Sequence, residues 1–235
     1  MEKDFLENIA KQSLYSYGAS SEMILYSFKV FKKYIKEGSC ILEMGPAEGV
    51  MTDLLVHLSD DLTICEGSKS FCHSIKERYP KIDVHNSLFE EFSPKKKFDC
   101  IIMGHVLEHV ENPVQILKQA SDWLANDGLI IAAVPNARSL HRQAAVLMGL
   151  LKSEWELNEM DKHHGHRRVY NPETFRYDFL AADLKIDFFG GYWMKPVSNK
   201  QIEENWSLEM LNAFMQLGER YPDISAELYI VASKK

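Results

Sequence analysis

Cysteine is scarce and scattered: Cys40, Cys65, Cys72 and Cys100 are the four in 235 residues, and no two form a C-x-x-C pair. Such spacing supports neither a disulfide framework nor a structural zinc site. Three of them lie in or beside apolar runs, where a free thiol behaves as a small buried hydrophobe. Long apolar runs are also missing. Leu129–Val134 and Ala144–Leu151 are the longest, far short of the ~20 residues that span a bilayer. The opening Met-Glu-Lys-Asp carries no signal-peptide core. Basic residues are outnumbered 27 to 34, giving a net charge of −7 without any long basic block. That balance disfavours nucleic acid and anionic membranes as partners. The 46% hydrophobic and 26% charged content is that of an ordinary globular chain. A reduced, cytoplasmic protein, monomeric or homodimeric, is the expectation.

What is present is an alternation of strands and helices. The first 38 residues read as helical and aromatic-rich. Cys40–Met44 reads as a strand entering the turn Gly45-Pro-Ala-Glu-Gly49, with Val50–Leu58 as the following helix. Leu62–Glu66, Ile82–Asn86, Phe98–Met103 and Leu129–Val134 continue as strands, and Ser68 caps a helix running to Tyr79. Asn112-Pro113 opens a helix with Val114, Leu117, Ala120 and Leu124 on one face. Asn171-Pro172-Glu173 is a second N-terminus signature. Ile186–Gly191 and Glu227–Ala232 read as two last strands, with a helix over Ser207–Arg220 between them. Near-continuous apolar strands alternating with helices indicate an α/β fold with a parallel sheet covered on both faces. Residues 1–235 form one domain in this reading. Residues 1–38 make a helical lid, and 136–170 and 192–225 are insertions that form a cap.

The turn Glu43-Met-Gly45-Pro-Ala-Glu-Gly49 fits E-x-G-x-x-x-G at a strand-to-helix junction. Glycines there let backbone approach a ligand, and the helix start offers unpaired N–H groups. A dinucleotide site would carry G-x-G-x-x-G. Glu43 replaces the first glycine, and a carboxylate suits a cofactor with a positive end. Glu66 closes the next strand, where an acid can accept hydrogen bonds from both hydroxyls of a ribose.

These motifs, together with Phe98-Asp-Cys-Ile-Ile-Met-Gly-His-Val-Leu-Glu-His-Val-Glu-Asn-Pro113 and Val134-Pro135-Asn136, resemble class I S-adenosylmethionine-dependent methyltransferases. The similarity is strongest to the small-molecule branch of ubiquinone-type O-methyltransferases and sugar methyltransferases, over roughly Ile35–Phe188. It implies a Rossmann-like seven-stranded sheet of order 3-2-1-4-5-7-6 with the last strand antiparallel. It also implies S-adenosylmethionine as cofactor and S-adenosylhomocysteine as product. By this resemblance Gly45, Pro46, Ala47 and Gly49 wrap the amino-acid end of the cofactor, with Glu43 acting on it. Glu66 holds the ribose, with Gly67 and Ser68 beside the adenine. Family members carry an acid after the third strand, where this chain has Asn86-Ser87-Leu88-Phe89, so Ser87 or Leu88 takes the adenine contact. Gly104 and His105 line the methionine end, and Tyr17 packs over the cofactor.

Methyl transfer from a sulfonium needs alignment, and an alcohol acceptor also needs a base. His105 and His109 stand four apart, and His163, His164 and His166 cluster in Lys-His-His-Gly-His-Arg-Arg-Val-Tyr. His109 and His166 are the candidate bases. His163, His164, Arg167, Arg168 and Tyr170 are candidate acceptor contacts, the guanidinium groups suited to a phosphate or carboxylate. No matching carboxylate motif accompanies the histidines, so no metal site is expected. The expected activity is methylation of a hydroxyl on a small polar metabolite, in the sugar- and phosphate-containing range. The alternatives are an amine or amino-sugar acceptor, and a catalytically silent cofactor-binding protein.

Overall fold

The computed structural model describes residues 2–13 and 15–235. Met1 and Leu14, both within the expected lid, lie outside the described residues. Two helices, α1 (Glu2–Gln12) and α2 (Gly18–Phe31), precede β1 (Ile41–Met44). Then follow α3 (Thr52–Leu55), β2 (Leu62–Glu66), α4 (Lys69–Arg78), β3 (Asp83–Asn86), β4 (Phe98–Gly104), α5 (Pro113–Trp123) and β5 (Leu124–Pro135). Helices α6 (Leu140–Leu147) and α7 (Glu159–His163) lie between β5 and α8 (Pro172–Ala181). The chain continues through β6 (Leu184–Tyr192), α9 (Asn199–Asn205), α10 (Leu208–Gly218) and β7 (Glu227–Lys234).

The sheet has the order β3-β2-β1-β4-β5-β7-β6. Strands β1 to β5 are mutually parallel, and β7 runs antiparallel to both β5 and β6. Every residue of β1 and β2 is buried, as apolar runs covered by helices on both faces require. On one face Leu42, Ile101, Ile130 and Ile230 pack with Ile116 and Leu117 of α5 and Phe175 and Phe179 of α8. On the other, Ile41, Ile64 and Val231 pack with Tyr26, Val30 and Phe31 of α2 and Leu211 and Met215 of α10.

Local chemistry sets the boundaries. Ser68 Oγ accepts from Phe71 N at 3.2 Å, and Asn112 Oδ1 accepts from Gln115 N at 3.1 Å ahead of Pro113. Two boundaries depart from the pattern reading. β5 begins at Leu124, because Phe98 pairs with Leu124 and Cys100 with Leu129. The Asp127-Gly128 turn is therefore a bulge inside the strand, and a Cβ on Gly128 would sit 2.7 Å from the Phe98 carbonyl oxygen. The helix after the glycine turn shrinks to Thr52–Leu55, since its neighbours His57 and Leu58 bond three residues back. In the apolar run Ala144–Leu151, Leu147, Met148 and Leu150 are exposed, and Trp206 packs on Phe214 at 4.6 Å.

Phe175 is fully buried between Tyr170 and Phe179, with ring centroids 5.5 and 5.4 Å away. Phe175→Ala is expected to cost about 3–5 kcal/mol of stability, read as a lower urea midpoint with an unchanged m value.

Candidate active site

The parallel strands end at one edge, and the site is built there. β1 runs into Gly45 at φ 66°, Ala47 at φ 49° and Gly49 at φ 84°. Two of these three left-handed positions are glycines, which carry no steric penalty there. A Cβ on Gly45 would also lie 3.2 Å from Val106 and 3.3 Å from Phe89, so the turn packs close to the β4 exit. Glu43 is buried at the turn and accepts from Thr52 Oγ1 at 2.7 Å. Glu66 accepts from Ser68 N at 2.7 Å and from Ala47 N at 3.4 Å, tying the ends of β1 and β2 together. Burial pushes the Glu43 carboxyl up to about 8, against the Thr52 hydrogen bond. Burial likewise lifts Glu66 to about 7, against the backbone N–H groups it accepts.

One cavity runs from this turn to the β4 exit, with Glu43, Gly45, Pro46, Ala47, Glu66 and Ser68 in its wall. Gly104, His105, Val106 and His109 line the far end, with His164, Gly165 and Arg167 beside them. Phe5, Leu6 and Ile9 of α1, with Tyr15, Met23, Ile24 and Ser27, make an apolar roof. Glu7 fastens that roof: it accepts from Ser68 Oγ at 3.0 Å and Ser70 N at 3.2 Å, at the start of α4.

At the β4 exit His105 takes φ 58°, and its Nδ1 lies 3.2 Å from Glu108 Oε1. Its Nε2 faces Glu227 Oε2 at 3.7 Å. Glu108 is fully buried, and His109 Nε2 stands 4.0 Å from the same carboxylate. The His109 and His166 rings meet edge to face at 4.8 Å, and His166 Nδ1 lies 3.4 Å from Asp161 Oδ1. Burial opposes ionisation of Glu108, yet the surrounding histidines, His105 first, hold it down at about 2. Burial also works against charge on His105, and Glu227 and Glu108 outweigh it to give about 9. His109 is different: burial, aided by His166 and His105 and opposed by Glu108, lowers it to about 4. It is a neutral imidazole at pH 7, with one unprotonated ring nitrogen. Ligand-capable atoms of Glu108, His109 and His166 all lie within 4.8 Å of one another, a spacing that would also admit a small divalent cation. The carboxylate missing from the histidine pattern is Glu108.

The structure brings together Glu43, Gly45, Pro46, Ala47, Glu66, Ser68, Gly104, His105, His109, His164 and Arg167 in the cavity wall. His166 stands directly behind His109. Gly49 closes the turn, and Gly67 is covered by Leu6 and Leu88. Ser87 turns its hydroxyl onto the Leu88 carbonyl, and Phe89 is the residue of that stretch in the wall. Four positions stand apart. Tyr17 is 70% exposed, because it sits outside the start of α2, whereas Tyr15 reaches the cavity. Tyr170 belongs to the core, where its hydroxyl donates to Asp178 at 2.8 Å. His163 is exposed at the end of α7. Arg168 spends its guanidinium on the carbonyls of Leu107, Val110 and Glu111. Pattern reading passed over Glu108, Asp161 and Glu227. Of these Glu108 had a signal, as the acid between two histidine positions in His-Val-Leu-Glu-His.

This fold and this edge define a class I S-adenosylmethionine-dependent methyltransferase. The chain belongs to the methyltransferase-domain family, whose model matches residues 22–187. It is 24% identical over 188 residues to the ubiquinone biosynthesis O-methyltransferase of Rickettsia felis, covering 77% of this chain and 73% of that one. It is 24% identical over 106 residues to the (S)-tetrahydroprotoberberine N-methyltransferase of Eschscholzia californica, 41% of this chain and 29% of that one. Its fold is similar to that of a methyltransferase from Thermotoga maritima, described as a possible histamine N-methyltransferase. That match has a TM-score of 0.67 at 16% identity and covers 98% of this chain and 100% of that one. The N-methyltransferase NodS of Bradyrhizobium japonicum, solved with S-adenosylhomocysteine, aligns with a TM-score of 0.57 at 14% identity, covering 92% and 87%. S-Adenosylmethionine is the cofactor of this enzyme.

The Glu108 shift sets a pH dependence. Its folded pKa is depressed, so its stabilisation is present above the unfolded value of 4.5 and is lost as pH falls toward 2. Wild-type stability is expected to drop from pH 4.5 to 2.5 by on the order of 2–3 kcal/mol more than that of Glu108→Gln, measured by urea unfolding.

Proposed function

We propose that the enzyme transfers the cofactor methyl to a hydroxyl of a small polar metabolite, with His109 as the general base. The observation that carries this reading is a neutral His109 in the cavity wall, 4.0 Å from the ionised carboxylate of Glu108. A neutral imidazole takes the hydroxyl proton as the methyl arrives, and the buried carboxylate favours the imidazolium that results. His166, packed on His109, is the second histidine of the pair. In the same reading Gly45, Pro46, Ala47 and Gly49 hold the amino-acid end of the cofactor, aided by Glu43. Glu66 takes the ribose hydroxyls, and Gly104 and His105 meet the methionine end. Leu6 lies against Gly67, which supports α1 as a lid over the adenine side.

Arg167 is the arginine of the Lys162–Arg168 run in the cavity wall, and its Nε donates to the His109 carbonyl at 2.8 Å, while Arg168 donates to the carbonyls of Leu107, Val110 and Glu111. Acceptor recognition through hydroxyls is therefore better supported than recognition through a phosphate. A second reading, transfer to an amine, draws on the buried second oxygens of Glu108 and Glu227, neither of which has a hydrogen-bond partner. The setting we infer is cytoplasmic. Among the described residues no helix is long and apolar enough to cross a membrane.

Labelled S-adenosylmethionine offered with glucose 6-phosphate, catechol or histamine separates these readings. O-Methylated product is expected; methylation of histamine alone would replace the hydroxyl reading with the amine one. His109→Ala is expected to lower kcat about 100-fold while the Kd for S-adenosylhomocysteine stays within about twofold. Glu66→Ala is expected to do the opposite. It removes a charged hydrogen-bond acceptor and weakens that Kd about 10–100-fold, measured by calorimetry.

A further inference from the structure

Asp161 lies in the segment between β5 and α8, and its two carboxylate oxygens have different surroundings. Oδ2 accepts from Arg142 Nη1 at 3.0 Å and from the Asn158 backbone N–H at 2.9 Å. Those bonds cap α7 and pair a buried guanidinium, a structural role that is complete without Oδ1. Oδ1 instead faces His166 Nδ1 at 3.4 Å, within ion-pair distance, while that buried nitrogen has no hydrogen-bond partner. The backbone N–H of His166 also donates to the Asp161 carbonyl at 2.9 Å, so main chain and ring are both referred to one residue. Arg142 is fixed in turn: it is buried, and Nε donates to the Glu154 carbonyl at 3.1 Å while Nη2 donates to that of Glu156. On its other side the His166 ring meets His109.

We propose that Asp161 is a positioning residue, whose carboxylate takes the Nδ1–H of His166 and leaves Nε2 as the bare nitrogen of the histidine pair. An imidazole has one proton for two nitrogens, and the partner of one nitrogen decides the tautomer. The Arg142–Asp161 pair, at 3.0 Å, stands beside the ring before any acceptor binds. The groups around His166 agree. Glu108, His109 and His164 surround the ring from the other elements, with Glu227 farther along the edge. Asp161 remains ionised among them: burial opposes its charge, but His166, Arg142 and the Asn158 N–H hold it down at about 2. The assignment rests on the histidine-pair reading above for its catalytic meaning, and on geometry alone for the tautomer.

Nitrogen-15 NMR of the full chain, labelled at histidine and saturated with S-adenosylhomocysteine, tests it. His166 is expected to carry its proton on Nδ1 in the wild type, and Asp161→Asn to shift it to a mixture of tautomers. With catechol as the probe acceptor, Asp161→Asn is expected to lower kcat about 10–100-fold, with KM within about twofold. A wild-type His166 protonated on Nε2 overturns the proposal, and that measurement stands even if Asp161→Asn loses its helix cap and fails to fold. A folded Asp161→Asn that keeps both tautomer and kcat also overturns it. Full activity in His166→Ala beside an Nδ1–H wild type would instead remove the catalytic reading and leave the orientation intact.

Discussion

A carboxylate with no access to water must be matched by its neighbours, and Glu108 is that carboxylate here. Its Oε1 takes His105 at 3.2 Å, and His109 stands 4.0 Å away. The loop that carries it is pinned from outside, because the Arg167 N–H donates to the Glu108 carbonyl and Arg168 ties down Leu107, Val110 and Glu111. The two arginines thus act on the backbone of the β4 exit, and that backbone sets where the histidines stand. Without the pinning, the buried charge would draw in water and the low-dielectric edge would be lost.

The cavity is divided electrostatically along its length. At the turn after β1, Glu43 and Glu66 are buried with few partners, and their carboxyl groups are pushed up. Glu108 at the β4 exit is buried beside His105 and Asp161 in α7 beside Arg142, and their carboxyl groups are pushed down. The histidine end carries its own compensation permanently.

Most of the architecture was legible because it rests on local rules. The glycine turn, the Ser68 cap and the Asn112-Pro113 start each have a chemical reason visible within a few residues. Sheet order was legible only through the motifs' resemblance to a family. The side-chain directions were less accessible. Arg167 and Arg168 are neighbours of one type and both donate to carbonyls of the β4 exit, 57 to 61 residues away in sequence, yet only Arg167 also lines the cavity. Tyr15 and Tyr17 are two residues apart, yet Tyr15 reaches the cavity while Tyr17, at the start of α2, is exposed. Asp161 carried no signal, since its partners Arg142 and His166 meet it only once the segment after β5 has folded.

Strand β7 lies between β5 and β6 and runs against both, which puts Glu227 at its beginning, beside His105. Residues 227–234 are synthesised after every other strand, yet they fill an interior position of the sheet. A nascent chain that has already emitted β1 to β4 owns the whole glycine turn and the two buried acids beside it, Glu43 and Glu66. It still lacks one carboxylate flanking His105 and the strand that joins β6 to the rest. The glycine turn and the histidine edge are therefore completed at different times during synthesis, the edge only once β7 has paired between β5 and β6.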